Sequence, residues 1–431
     1  MDRRLHARPA ALRDGERARR EIPVHGARRL TIPDRASTLV VGGGIVGVAA
    51  AFFLAERGEE GVVLLERETL GSGTTKGGLG GIRHQFTDEL DVRLSQLSAA
   101  FWRDFASFTS SGHEFEQNGY LFIAETDDGV AALRAAMPLY KRLGVEVEMV
   151  GRERIARIVP GIRTDDLKGG RIGTTDGYGA PLDAVAGFAA AALIDHVRII
   201  EGVEVVSLIL EDGAVRGART SGGLIRADRV LLATGVWTAP LAATAHVRTP
   251  IWPYRRSIME AAGPFPALAA IPMVIEWESG FHFRPNGPAQ RFAMPNLLAD
   301  GAVEKGPASA PDSFEGLPAF DGRDVAPQLE PWARARAAWR MRGFADIRIT
   351  DRWSCNYEMT PDDHPIVGAI PGTPGLYIAA GFSGHGFMHA PATGQLIVEE
   401  MLDGKASTLD ISDLSIERFR TGRRPFTATV L

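Results

Sequence analysis

Residues 38–68, TLVVGGGIVGVAAAFFLAERGEEGVVLLERE, constrain this chain most, because a strand, a glycine turn, a helix and a second strand follow one another without a break. Leu39 to Val41 is a short apolar run of the kind a buried parallel strand shows, and it stops at Gly42, Gly43 and Gly44. Gly42 permits the tight turn, Gly44 lets backbone approach a pyrophosphate, and Gly47 lets the helix pack close to the strand. Ile45 and Val46 open that helix, whose first amides have no partner within the helix and suit a phosphate. Ala49 to Arg57 continues it, Gly58 ends it, and Val62 to Leu65 is the second strand, closing on Glu66 and Arg67. Glu66 follows the glycines at roughly the 20-residue spacing at which an acidic side chain accepts the hydroxyls of a ribose, and a carboxylate there disfavours a 2′-phosphate. A dinucleotide of the FAD or NAD type is expected, rather than NADP.

The 431 residues exceed one ordinary core and suggest two joined domains, and a hydrophobic content of 45% suffices to build them. A formal charge of −5 gives no electrostatic reason to expect nucleic acid, and no apolar stretch reaches membrane-span length. The single cysteine, Cys355, excludes an internal disulfide and any multi-cysteine metal site. The ten histidines are read as showing no paired metal-ligand spacing, so no metal is expected. A reducing, cytoplasmic setting follows from the cysteine usage. Residues 1–35 are rich in arginine and poor in large apolar residues, and are expected to form a flexible arm.

Further along, residues 87–112 look helical, Gly119 to Ala124 reads as a strand and Val130 to Leu143 as an amphipathic helix. Pro181 to Ile194 is an alanine-rich helix; Val203 to Leu210, Ala214 to Thr220 and Leu224 to Ala227 form a meander that leads into the buried strand Arg229 to Gly235. That strand ends in Ala233, Thr234 and Gly235, small residues that let backbone run close to a cofactor. The alternation predicts an α/β fold with a discontinuous Rossmann-like domain over 36–118, 170–248 and 350–415. An α+β substrate domain is inserted over 119–169 and 249–349, built on a mixed, largely antiparallel sheet.

The segments VVGGGIVGVAAAFFLAERG, GSGTTKGGLGGIRHQF, NGYLFIA, RVLLATGVWT, YEMTPDDHPIVG and GLYIAAGFSGHGFMHAPATGQLIVEEMLDG together resemble the FAD-dependent D-amino acid oxidase superfamily, in particular its sarcosine oxidase and dehydrogenase branch. The resemblance covers roughly residues 36–420 and implies FAD as cofactor. Gly381 to Gly386 precedes a helix in which Pro391 suits the first turn, so this loop aims backbone amides at whatever lies above it. The resemblance implies that this is the flavin pyrimidine, with Gly381, Ser383, Gly384, His385, Gly386, Phe387 and Met388 as contacts. It also places the glycine-rich loop of Gly73, Thr74, Thr75, Gly80 and Gly81 along the flavin, and Val205 and Trp237 are further candidate contacts. Arg83 is expected at the flavin edge or the substrate.

Cys355 occupies the place where monomeric sarcosine oxidases carry a cysteine bonded to flavin, so a covalent link is one expectation and a buried free thiol beside noncovalent FAD the other. Tyr254 and Arg256 in IWPYRR, with His282 and Arg284 in FHFRP, are candidates to bind a substrate carboxylate. His385 and Arg83 complete the set of candidate catalytic residues. Sarcosine oxidases carry a lysine after GFSGHGF, and this chain has Met388, which cannot pair a charge. Asp362 and Asp363, beside Pro361, are read as turn residues. The activity implied is oxidation of the C–N bond of an amine or amino acid, of secondary, N-methyl or D-amino acid type, by hydride transfer to flavin. Electrons pass on to oxygen, a quinone or a carrier, and a homo- or hetero-oligomer is compatible with this. A non-catalytic FAD-binding assembly factor or subunit is the alternative.

Overall fold

Alternation within Leu39, Val40 and Val41 sends Val40 into one apolar cluster and its two neighbours into another, so the strand Arg35–Val41 is covered on both faces. The structure is a computed structural model that describes residues 32–109, 112, 115–194, 197–263, 270–294 and 325–422. The arm expected over residues 1–35 lies outside the described residues up to position 31; Arg35 is already the first residue of a strand. Arg35–Val41 pairs in parallel with Val62–Leu65 on one side and with Gly223–Leu232 on the other. Arg198–Ile200 and Leu376–Ala380 extend the parallel sheet outward, and Ile366–Ala369 adds an antiparallel edge. The helices Ile45–Glu56, Glu89–Arg103, Pro181–Ile194 and Gly386–Asp403 pack on the Val40 face.

A second sheet runs in the order Arg348–Met359, Trp252–Ala262, Ala289–Met294, His282–Asn286, Met273–Glu276, Tyr120–Ala124, Gly169–Gly173, Val147–Val150. Every neighbouring pair is antiparallel except Met273–Glu276 with Tyr120–Ala124. The helix Leu329–Arg340 covers one face with Ala333 and Ala337 against Phe281, Phe283 and Phe292. On the other face Tyr120, Phe122, Ile258, Met273, Ile275 and Cys355 form a separate cluster. The architecture is thus α/β, a Rossmann-like parallel sheet joined to a mixed, largely antiparallel one.

Several local readings change with pairing. Gly170–Gly173 and residues 350–359, expected in the nucleotide domain, run as strands of the second sheet. Leu224 to Ala227 is no separate meander strand but the first half of Gly223–Leu232, which continues straight into the parallel sheet. The helix expected over Val130 to Leu143 is two, Asp127–Ala135 and Met137–Leu143, because Pro138 lacks an N–H and restricts the residue before it. Residues 87–112 likewise divide into Glu89–Arg103 and Phe105–Thr109. Pro391 lies inside the Gly386–Asp403 helix, past its first turn, so the hydrogen bond it forgoes is the one to the Phe387 carbonyl.

A Cβ placed on Gly47 would stand 1.9 Å from the carbonyl oxygen of Gly42 and 3.4 Å from the Cβ of Ala233. The helix therefore touches the strand ends, and that contact sets where its N-terminus opens. Gly47→Ala is expected to push the helix outward and to cost about 1–3 kcal/mol of unfolding free energy, the usual range for overpacking. Urea titration checks this: an unchanged midpoint contradicts so close a contact.

Candidate active site

One cavity of about 970 Å³ runs from the ends of the parallel strands to the second sheet. It sits at the upper end of the range of about 300–1,000 Å³ common for small-molecule pockets, roomy enough for a dinucleotide. Two helix N-termini open into it. Ile45–Glu56 and Gly386–Asp403 have no acidic residue in their first turn and no side-chain cap from their own N-cap residue, so their positive dipole ends face the cavity, with only the Ile45 amide taken by a side chain from another loop. The hydroxyl of Thr75 accepts from the Ile45 amide at 3.1 Å, and that of Thr74 donates to the carbonyl of Asn356 at 2.6 Å. The Glu66 carboxylate accepts from the Gly43 amide at 2.7 Å and from the Glu68 amide at 2.8 Å, which fixes it at the cavity wall. Across from it the Arg67 guanidinium lies 4.6 Å from the centre of the Trp237 ring.

Of the residues singled out from the sequence, Gly42, Gly44, Ile45, Val46, Glu66, Arg67, Gly73, Thr74, Thr75, Gly80 and Gly81 line the cavity. So do Val205, Ala233, Thr234, Gly235, Trp237, Cys355 and the run from Ser383 to Met388. Gly47 and Gly381 stand behind the wall: the first seats the helix, and the second donates to the Glu358 carboxylate at 2.9 Å. Gly384 has φ +95°, and a Cβ there would meet the Tyr357 ring at 2.3 Å, so the loop turns only with glycine at that place. Ser383 keeps a buried hydroxyl with no hydrogen bond inside the protein, facing where a bound group would pair with it. That orphan hydroxyl, the two open helix ends and the Glu66 carboxylate fit a dinucleotide with a polar ring system.

The far wall is built by register. Trp252–Ala262 pairs with Arg348–Met359 so that Tyr254 faces Tyr357 and Arg256 faces Cys355, and all four line the cavity. Arg256 lies 5.2 Å from the Tyr254 ring and 5.5 Å from that of Tyr357. His282 joins them, its pKa pushed down to about 3 by burial and by the charge of Arg256, so the ring is neutral. Burial pushes the Cys355 thiol up to about 12. Arg284 does not take part: it is buried, donates to the carbonyls of Leu79 and Pro285, each at 2.5 Å, and stacks over Tyr178. It shares a face with His282 but lies two residues further along the strand, where those carbonyls take up its guanidinium, which corrects the expectation that it binds substrate.

Arg83 lines the cavity 4.0 Å from the Phe86 ring and donates to the carbonyl of Gln85. A buried network that sequence reading missed holds this loop. Asp176 accepts from the His84 amide at 2.9 Å and from Gln85 Nε2 at 2.9 Å, and Arg171 donates to Gln85 at 2.9 Å. These partners are up to 92 residues apart, so no local signal marks them.

Also missed were Glu358 and Asp363, both on the cavity wall. Asp363, read as a plain turn residue, has φ +61° and a carboxyl raised to about 6 by burial. Asp362 is structural, paired with Arg418 at 2.8 Å. His385 and His389, four residues apart on one helix, do have a paired spacing; with Asp91 they offer ligand atoms within 4.8 Å of one another. The pKa of His385 is pushed down to about 4 by burial.

Residues 37–400 match the family described as FAD dependent oxidoreductase, and the chain belongs to that family. It is 27% identical over 90% of its length to 4-methylaminobutanoate oxidase (formaldehyde-forming) of Paenarthrobacter nicotinovorans, of which it spans 46%. It is also 27% identical over 90% of its length to FAD-dependent oxidoreductase domain-containing protein 1 of Xenopus laevis, spanning 83% of that protein. Among solved structures, L-proline dehydrogenase from P. horikoshii superposes with a TM-score of 0.81 at 28% identity, over 91% of this chain and 99% of that one. No helix among the described residues is long and apolar enough to cross a membrane.

Burial raises the Glu358 carboxyl from the ordinary 4.5 to about 7. A raised carboxyl favours the fold fully below pH 4.5 and loses that contribution as pH rises through 7. Glu358→Gln lacks this loss, so its stability relative to the wild type is expected to improve between pH 5 and 8, by about 1–3 kcal/mol. Unfolding free energies of both proteins across that range check it; a difference that stays constant contradicts a buried neutral carboxyl.

Proposed function

We propose that this chain is an FAD-dependent oxidase or dehydrogenase that oxidises the CH–NH group of an amine carrying a carboxylate. The observation that carries the reading is one continuous cavity with an open helix end and a ribose-type carboxylate at one side and two arginines, Arg83 and Arg256, at the other. In this reading Glu66 holds the ribose, the amides of residues 44–46 with Thr75 face the pyrophosphate, and the Ser383 hydroxyl with the amides of residues 383–387 faces the flavin ring. Bound FAD supplies a two-electron acceptor, through which the C–N bond is oxidised to an imine that water hydrolyses.

The protein's own part is binding, orientation and control of charge. Arg83 and Arg256 hold the substrate carboxylate, the work that Met388 cannot do. Their positive charges also disfavour an ammonium nearby, so the amine is held in its neutral, reactive form. Neutral His282 and the Tyr254 and Tyr357 rings shape the remaining wall. No strong base is required, in keeping with a cavity whose histidines are held neutral. The two relatives named for their substrates act on methylaminobutanoate and proline, both secondary amines bearing a carboxylate, which supports the same class here. FAD is held without a covalent bond, since the Cys355 thiol is kept protonated and only a thiolate attacks readily.

An anaerobic panel of N-methyl, cyclic and D-amino acids is expected to bleach the flavin absorbance. Arg83→Ala and Arg256→Ala are each expected to weaken binding of the active compound about 10–100-fold, as loss of a charged hydrogen bond of about 1.5–3 kcal/mol implies, with FAD retained. A panel in which no amine bleaches a flavin-loaded protein shifts the reading to a non-catalytic FAD-binding subunit. For the linkage, acid precipitation is expected to leave all yellow colour in the supernatant, and colour in the pellet contradicts noncovalent FAD.

A further inference from the structure

Behind the cavity wall, Asp91 on the Glu89–Arg103 helix meets His385 and His389 at the start of Gly386–Asp403, all three buried. Three of their atoms, Asp91 Oδ1, His385 Nδ1 and His389 Nδ1, make no hydrogen bond to the protein. The Phe86 ring closes one side, 5.3 Å from the ring of His385 and 5.0 Å from that of His389. Hydrogen-bond partners settle where the protons are. His385 Nε2 lies 3.1 Å from the carbonyl of Asp363, which only accepts, so Nε2 carries the hydrogen and Nδ1 is a lone pair. His364 Nδ1 lies 2.5 Å from the carbonyl of Asp362, and its Nε2 lies 2.9 Å from Asp91 Oδ2. The second contact is at ion-pair distance; burial works against a charged ring, but Asp91 outweighs it and holds the His364 pKa above its ordinary value, so the pair is read as imidazolium and carboxylate.

We propose that Asp91, His385 and His389 share one buried water, and that Asp91 and His364 act through it as positioning residues for His385 at the cavity wall. One water completes every valence. Ser95 Oγ lies 2.9 Å from His389 Nε2 and can donate or accept there; in the proposed arrangement it donates, His389 Nδ1 donates to the water, and the water donates to Asp91 Oδ1 and His385 Nδ1. A divalent cation fits worse, because the charge of Asp91 is already matched by His364 and the metal would stay buried with both its charges uncompensated. The chain of bonds holds His385 in a single neutral tautomer, and with it the loop from Phe382 to Gly386. An Asp91 oxygen lies within 4.8 Å of a His385 ring nitrogen, and the pull of Asp91 on that ring exceeds the push of His364, so the pair presents a net negative field to the wall. This inference rests on FAD lying against that wall.

The test uses the full chain loaded with FAD. A high-resolution structure of the wild type is expected to show a water within hydrogen-bond distance of all three atoms, and elemental analysis is expected to find no stoichiometric metal. A metal at that place, or a dry pocket, overturns the proposal. Asp91→Asn removes this negative charge and is expected to move the flavin reduction equilibrium about tenfold towards the reduced form, about 30 mV for two electrons. FAD is retained, and Asp91→Glu restores the value. A purely structural role would lower thermal stability without moving the potential. A flavin-loaded Asp91→Asn protein with unchanged potential therefore sinks this inference alone, whereas a wild type that takes up no FAD sinks the flavoenzyme reading itself.

Discussion

The contact of Gly47 with the Gly42 carbonyl and with Ala233 is the constraint on which the site depends. It brings the helix Ile45–Glu56 down onto the ends of two parallel strands, so that the amides of its first turn open where those strands stop. Gly394 repeats the device from the other side: a Cβ there would stand 2.9 Å from the backbone of Ala49, so the Gly386–Asp403 helix lies tight against the first. Two helices locked side by side present both N-termini to one cavity. Each carries roughly half a positive charge at that end, and with no acidic first-turn residue and only the Ile45 amide bonded to a side chain, that of Thr75, it stays available to an anion or an electron-rich ring.

What the sequence made legible was what consecutive residues encode. The strand Val62–Leu65 and the helix Pro181–Ile194 stand where they were expected, because their signals, an apolar run closing on an acid and an alanine-rich run opened by proline, are local. Pairing across long separations was not legible. Gly169–Gly173 has no β-branched run to announce it, and becomes a strand only because Tyr120–Ala124 and Val147–Val150 take it between them. Distance along the sheet was not legible for the arginines either. Arg256 and Arg284 look alike in sequence and register puts both on one face, yet Arg284, two residues beyond His282, is taken up by the carbonyls of Leu79 and Pro285. Asp363 escaped because its positive φ of 61° suits the turn that was expected of an aspartate, and nothing local shows that this turn borders the cavity.

Charge is unevenly placed around the cavity. A protein with a formal charge of −5 lines this one space with Arg67, Arg83 and Arg256 beside two positive helix ends. Five acids share the wall, Glu66, Glu68, Glu204, Glu358 and Asp363; Glu66 is tied to two backbone amides, and burial raises the carboxyl of Glu358 to about 7 and that of Asp363 to about 6. Positive charge is concentrated instead at the helix ends and around Arg83 and Arg256, where an anion would be favoured. Arg256 and His282 stand on strands of the second sheet while the helix ends belong to the first, which separates the two tasks in part; Arg67, after a strand of the first sheet, and Arg83, in the loop after Gly81–Ile82, do not follow that division. Substrate specificity can then change by altering side chains such as Arg256 and His282, while the amides that meet the cofactor stay fixed by glycine contacts no side chain can replace.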